Sequence, residues 1–278
     1  MNFIAENDIS PSCGAGGPNI VCSDEVPGAV KEFIYASDPI MISGIPPSQG
    51  WVFTWDVCCR NGTIVNLQNP DTQGATIRAV MYPFSGQNTF PCFDSSPDFA
   101  EIPTAIVCTG GDFTYNHNAS DRDLDSIAYK WAEPLDNFNT WNPPATPSPL
   151  VFENPYSFSS PLPGNPNLDV STGEVAFNAN TQGEFVTVIK VESWRCGQMI
   201  SEVFREIQLI ITNCSANDPP DVSILDMAGN PISYFDTVHV GDLVQFQLKG
   251  VDIGQDVTLS SSSTQYGTNF ANPNSGCI

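Results

Sequence analysis

The sequence predicts an all-β chain built from tandem β-sandwich modules. Three observations carry that reading. Short apolar runs recur between turn residues at intervals of about 8 to 15 residues, the punctuation of sandwich folds. Proline (24) and glycine (21) are spread along all 278 residues. Helical periodicity is nearly absent.

The runs follow in order. Strands are expected over 19–22, 30–37, 50–58, 62–67 and 75–83. Each is rich in β-branched and aromatic residues, and turn residues punctuate the series. Further strands are expected over 111–119, 125–131, 173–179, 221–226, 243–250 and 255–261. The stretch 199–214, MISEVFREIQLIITNC, is long enough for a helix. Its β-branched end, and the strand-like EFVTVIKVESW and turn CGQ before it, favour a hairpin instead. Phe185, Thr187, Ile189 and Val191 then share one strand face, and Val186, Val188, Lys190 and Glu192 the other.

Two boundaries divide the chain. A new module is expected to begin near SSPDFAEIPTAIVC, after the turn-rich NTFPCFD, and another after the proline linker in NCSANDPPDVSI. The expected modules are 1–95, 96–214 and 215–278, the last too short for a complete sandwich. Immunoglobulin-like sandwiches fit the strand spacing. FTYNHNASDRDLDSIAY and FQLKGVDIGQDVTLS share a loose strand–turn–strand pattern, as duplicated modules would.

Charge narrows the function classes. Thirty-one acidic residues face nine basic ones, a net charge of −22. That balance argues against nucleic acid and anionic membranes, whose phosphates it repels. Cations, other surface proteins, copies of the chain itself and polysaccharide remain as partners. No segment of 18 apolar residues exists to span a membrane. No signal peptide opens the chain, so an exported protein would be present as its mature form or as an excised piece.

Nine cysteines and two histidines do not make zinc spacing. They read as a disulfide framework in an oxidising compartment. The candidates are Cys13, Cys22, Cys58, Cys59, Cys92, Cys108, Cys196 and Cys214, with Cys277 as the odd thiol. Cys58 and Cys59 are adjacent on a strand, so each is expected to bond a distant partner rather than the other.

The densest chemistry lies in NHNASDRDLDSIAYKW, residues 116–131. Asp121, Asp123 and Asp125 alternate there, and a turn of this form can converge several oxygens on calcium. It is not an EF-hand loop, since Ser126 and Ala132 stand where Gly and Glu are required. Asp98, Glu101 and Glu133 are further possible ligands. The competing reading is a solvated aspartate turn with Arg122 as its counter-charge. Enzymatic signals are thin: no G-x-S-x-G, H-E-x-x-H or phosphate-binding glycine loop occurs. His117 is the one candidate base near carboxylates, and a place on the strand surface or packed beside the site suits it better. Trp51, Trp55, Trp131 and Trp194 read as core, and Trp141 as the exposed aromatic candidate. Asn61, Asn118 and Asn213 head N-x-S/T sequons. No catalytic residue is expected.

Taken in order, CCRNGTIVNL, SSPDF, FTYNHNASDRDLDSIAY, LDVSTGEVAFNANTQGEFVTVIKVESWR and ISEVFREIQLIITNC resemble a family of large secreted surface proteins of Bacteroidetes. These carry tandem PKD-like and cadherin-like sandwich modules, often with a gliding-motility-associated or type IX secretion sorting domain. The resemblance covers about 50–214. It implies type IX export, display on the bacterial cell surface or in a filament, and adhesion or structural work. It also implies that Asp121, Asp123 and Asp125 are similar to a cadherin-like calcium turn. Two departures stand out: Leu124 replaces the usual glycine of that turn, which is expected to strain or weaken the site, and Cys196 stands where Asn is common. No sorting domain is visible, so the chain is expected to be part of a longer protein. A secreted hydrolase or carbohydrate-binding protein, and a subunit of a secretion or gliding machine, are the competing readings.

Overall fold

The computed structural model describes residues 2–10, 31–85, 88, 92–101, 104–137, 147–213, 221–233 and 243–251. Within them the fold is all-β, apart from one 3-10 turn at Pro70–Thr72. In chain order the strands are β1 (Asn2–Asp8), β2 (Lys31–Ala36), β3 (Trp51–Val57), β4 (Ala75–Met81), β5 (Asp98–Phe99), β6 (Thr104–Cys108), β7 (Asp112–Asn116) and β8 (Ala119–Ser120). They continue as β9 (Ser126–Trp131), β10 (Asn167–Leu168), β11 (Glu174–Asn178), β12 (Gly183–Arg195), β13 (Gln198–Thr212), β14 (Asp221–Leu225) and β15 (Gln247–Val251).

The long hairpin β12–β13 is the spine of the larger compact unit. Its turn, Cys196–Gly197, holds both residues at positive φ (50° and 77°), the left-handed pair a tight hairpin needs. The apolar end of 199–214 is strand, as the alternation requires, because neighbouring positions face opposite cores. β12 pairs β13 along its whole length and β9 on its other side. The other side of β13 is shared: β4 pairs Ser201–Val203 antiparallel, and β6 pairs Gln208–Thr212 in parallel. With β3 on β4, the order is β3-β4-β13-β12-β9, with β6 joining β13.

One face of this sheet packs on a three-stranded sheet, β10-β11-β7. Phe185, Ile207, Leu209 and Ile211 meet Val175 and Phe177, with Val107 from β6. Tyr129, Ile189 and Val191 extend the core toward Phe99 and Leu168. Each fully buried side chain of this size contributes about 1.5–3 kcal/mol of transfer free energy. Gly173, at φ 74°, lies so close to Tyr129 that a Cβ would sit 2.5 Å from its ring. The opposite face is closed by chain without strands: Ile64, Leu67 and Leu150 cover Val186, Val188 and Phe204. Asn66, fully buried, stitches that layer down. Its amide donates to Pro161 O and Val186 O (both 2.8 Å) and accepts from Val186 N (3.0 Å).

Several expectations need correction. The expected boundary at 95 falls inside one sheet: β3 and β4 precede it, and β9, β12 and β13 follow it. β4 is held by β13, so 1–95 has no separate sheet core. The compact units are Met1–Pro11 with Ile20–Cys214, and Ser12–Asn19 with Ser215–Ile278. The run 62–67 is not a strand; it makes isolated bridges at Ile64 and Leu67 and serves as the cover just described. Of 243–250, strand begins at Gln247. The runs 19–22 and 255–261, and most of the second half of the loose repeat, lie outside the described residues.

In the smaller unit β14 and β15 form an antiparallel pair. Asp226 organises the turn after β14, accepting from Ala228 N and Asn230 N (both 2.8 Å). Those hydrogen bonds, that of the Asn230 side chain foremost, hold its carboxyl below its ordinary range.

Candidate functional site

The three aspartates lie in the turn between β8 and β9, but they do not share one role. Asp121 is turned inward to its own loop. Its Oδ1 accepts from Asp123 N at 2.8 Å, and its Oδ2 accepts from Ser193 Oγ on β12 at 3.0 Å. An Asx turn of this kind is a local alternative to backbone pairing. Leu124 has φ 63° and is 90% exposed, so it takes the left-handed backbone that glycine takes most readily.

Asp123 and Asp125 converge with a residue from elsewhere in the chain. Asp94, Asp123 and Asp125 each offer an oxygen within 4.8 Å of the other two. Asp94 is buried and accepts from Ser201 Oγ on β13 at 3.0 Å. Asp123 accepts from Ser95 N at 2.7 Å, tying the 92–97 segment to the turn. Arg195, at the end of β12, reaches into the cluster. Its Nε donates to Asp125 Oδ1 at 2.6 Å and its Nη2 to Asp125 Oδ2 at 2.5 Å. Nη2 also lies 3.1 Å from Asp94 and 3.9 Å from Asp123. The Asp125 pair is bidentate, the strongest arrangement of these groups, and it holds Arg195 above its ordinary range. Burial, with the nearby charges of Asp125 and Asp121 and against the Ser201 hydrogen bond, pushes Asp94 up to about 7.

The expected ligand set therefore divides. Asp123 and Asp125 stand together, Asp121 serves the turn, and Asp94 joins from another segment. Asp98 is not in the cluster; it pairs with Arg122 at 2.9 Å on the exposed surface. Arg122 is thus the counter-charge of Asp98, and Arg195 that of the turn. Glu101 and Glu133 are not in the cluster either. Three carboxylates fit the hard oxygen chemistry of calcium. Arg195 supplies one positive charge to the same oxygens, so a cation there would compete with it.

A second charged network crosses the opposite face. Glu192, 2% exposed, receives Lys130 (2.9 Å) and Lys190 (3.0 Å). Lys190 also meets Glu202 at 3.0 Å, and Tyr82 donates to Glu202 at 3.1 Å. Burial pushes Glu192 up, but the hydrogen bonds from Lys130 and Lys190 outweigh it and hold the group below its ordinary range. Burial, with the charge of Glu202, pushes Tyr82 up to about 12. Nearby, Arg60 forms a paired contact with Glu206 and donates to Leu135 O at 3.1 Å. This pins the CCRNG segment to β13.

Cys58 and Cys59 bond to each other, contrary to expectation. The peptide between them is cis, which brings the Cα atoms to 3.0 Å and both sulfurs to one side. Cys108 is also disulfide-bonded. Cys92 and Cys196 are exposed and carry free thiols, so neither joins the expected framework here. Cys196 is committed to the hairpin turn, whose backbone aims its side chain at solvent. Cys13, Cys22, Cys214 and Cys277 lie outside the described residues, as does Trp141. The sequon asparagines Asn61, Asn118 and Asn213 are all exposed.

His117 is neither a surface residue nor a base near the cluster. It is fully buried, and neither ring nitrogen has a hydrogen-bond partner. Tyr115 packs edge-on at 5.1 Å, and Arg205 Nη1 donates to the His117 carbonyl at 3.1 Å. Burial first, then the Arg205 charge, lowers its pKa to about 3. It is held as a neutral ring.

No protein-family model and no curated protein matches the chain. Two solved structures are similar at low level. Sidekick-1 immunoglobulin domains 1–5 shares 14% identity, covering 63% of this chain and 34% of its own, with a TM-score of 0.21. The N-terminal four Ig domains of Dscam1 isoform 4.44 shares 10% identity, covering 90% of this chain and 63% of its own, with a TM-score of 0.20. The chain thus spans about a third of the first and under two thirds of the second. Similarity at that level identifies no relative.

Proposed function

We propose that the chain is a non-enzymatic, extracellular β-sandwich protein that works as an adhesin-like or structural part of a bacterial cell-surface assembly. The observation that supports this best is the end of the sheet formed by β3 and β4. Trp51, Phe53, Trp55 and Val57 share a face with Ala75, Ile77, Ala79 and Met81, by their register. All eight are apolar and none is buried. A continuous apolar face of this kind marks a contact surface. Trp51 and Trp55 are therefore not core, because the β10-β11-β7 layer does not extend over them. The same face also favours the reading as a subunit of a secretion or gliding machine.

Export by type IX secretion follows from the family resemblance and belongs to the same proposal. Rigidity is assigned to the disulfides and to calcium held by Asp94, Asp123 and Asp125. Titration calorimetry with calcium tests the last point. Heat is expected from the wild type and more from Arg195→Met, which removes the competing cation. No heat from either ends the calcium reading. Antibody labelling of intact source cells tests the rest. Surface label, with attachment blocked by the antibody, is expected. Label confined to the cytoplasm overturns the proposal, and label at envelope-spanning complexes favours the machine subunit.

A further inference from the structure

His117 belongs to neither charged network. Its ring is fully buried, and neither nitrogen has a hydrogen-bond partner. A polar group held in that way gains free energy whenever it reaches water. Its neighbours decide what a proton there would meet. From β7, Tyr115 stands edge-on to the ring. From β13, Arg205 donates to the His117 carbonyl at 3.1 Å. From the chain after β5, Glu101 offers its own carbonyl to Arg205, and its charge bears on Arg205 and Tyr115. From β9, Tyr129 bears on Arg205. Gly173, before β11, accepts from His117 N at 3.3 Å and brings no charge. Among the described groups, the charge that acts on the imidazole is that of Arg205, and it is positive.

Above these groups lies a sheet of two residue pairs. β5 and β8 match Asp98 with Ser120 and Phe99 with Ala119. Ala100 N extends the pairing to Asn118 O at 3.1 Å. Phe99 and Ala119 pack on Tyr129, Ile189 and Val191 of the large sheet. Arg205 latches this small sheet down. It donates to carbonyls beside both of its strands, Glu101 and His117, and its guanidinium lies 4.6 Å from the centre of the Phe99 ring. Tyr129 adds a second tie, its hydroxyl accepting from Ala119 N at 3.0 Å.

An element with so little pairing opens locally before the fold as a whole does. While it is closed, an imidazolium at His117 would be buried, unpaired and beside a second cation. Once it is open, the ring has water. Protons therefore favour the open state.

We infer that β5 and β8 form an acid-sensitive lid over the Tyr129, Ile189 and Val191 cluster, released when His117 takes up a proton beside Arg205. Because Ser120 leads directly into Asp121, opening also frees one end of the aspartate turn. An open-state histidine titrates near 6.5, and burial with the Arg205 charge lowers the closed state to about 3. The open population then rises about 30-fold between pH 7.5 and pH 5.

Hydrogen exchange of the full chain with EDTA present, read by mass spectrometry at both pH values and corrected for the intrinsic rate, tests the lid. Peptides covering 97–101 and 117–120 are expected to open about 30-fold more at pH 5. Low urea is expected to leave that exchange unchanged, since a lid exposes little surface. β12 and β13 are expected to stay far better protected at both pH values. His117→Phe is expected to flatten the pH dependence of the lid. His117→Gln, neutral at every pH, does the same should the larger ring prevent folding. Arg205→Met is expected to speed lid exchange already at pH 7.5, because the latch is gone. Lid exchange that does not rise in acid overturns the inference. So does a rise that follows urea and appears equally in β12 and β13, since that is global unfolding. A rise that survives the His117 variants, or an Arg205→Met lid as slow as the wild type at pH 7.5, overturns it as well.

Discussion

Acid should weaken this fold through His117 in a way one substitution isolates. An unfolded histidine titrates near 6.5, whereas His117 is lowered to about 3 by burial and by the Arg205 charge. Between those values the unfolded chain binds the proton and the folded chain does not, so stability falls as pH falls. The full effect is about 3.5 pKa units, or roughly 5 kcal/mol at 1.36 kcal/mol per unit. At pH 5 the share lost is about 2 kcal/mol, and above pH 7.5 it is close to zero. Asp94 works in the opposite direction. Its folded pKa of about 7 means the folded chain takes up a proton first, so acid relieves a cost there. Both slopes occur in the wild type. His117→Phe removes only the histidine's, keeping an aromatic ring against Tyr115. Urea unfolding of the two proteins with EDTA present, at pH 7.5, 6 and 5, should therefore show the variant gaining about 2 kcal/mol on the wild type over that range. The absolute stability of the variant does not matter, only the change in the difference. Parallel pH profiles would refute the burial of an unpaired neutral ring at this position.

Other outcomes follow from the same packing. Lys190→Met strips Glu202 of its cation and leaves Glu192 only Lys130, so a loss of about 3 kcal/mol in denaturant unfolding is expected. A loss under 0.5 kcal/mol would mean water already screens the network. Asn66→Ala removes three buried hydrogen bonds and should cost about 3–5 kcal/mol by the same measurement. Leu124→Gly should leave the protein up to about 1 kcal/mol more stable, because the exposed Leu124 packs on little and pays for a left-handed backbone. A drop in melting temperature would show that Leu124 holds the turn.

What was legible in the sequence was local. The alternation of Phe185, Thr187, Ile189 and Val191 specifies a strand with two apolar neighbours, and β12 is that strand. The strain expected at Leu124 was visible because a turn of this type needs one left-handed residue. Nothing local joins Asp94 to Asp125, because the link is Arg195, set by the register of β12 on β9 and by the β12–β13 turn. One signal was available: a chain with nine basic residues does not leave an arginine idle beside an acidic turn. Cys58 and Cys59 depart from the expectation because β3 ends at Val57, so the opposed side chains of a strand do not apply to them. His117 was misread because alternation along β7 does not reveal that the adjacent chain at Gly173 closes over its end.

The shared side of β13 has a mechanical consequence. A pull applied beyond Thr212 enters the fold along the axis of that strand. There β13 is flanked by β6 in parallel and by β12 antiparallel, over the same residues. The load meets both ladders in shear, with many hydrogen bonds resisting together, rather than peeling them one at a time. A protein anchored by that end would yield late and all at once.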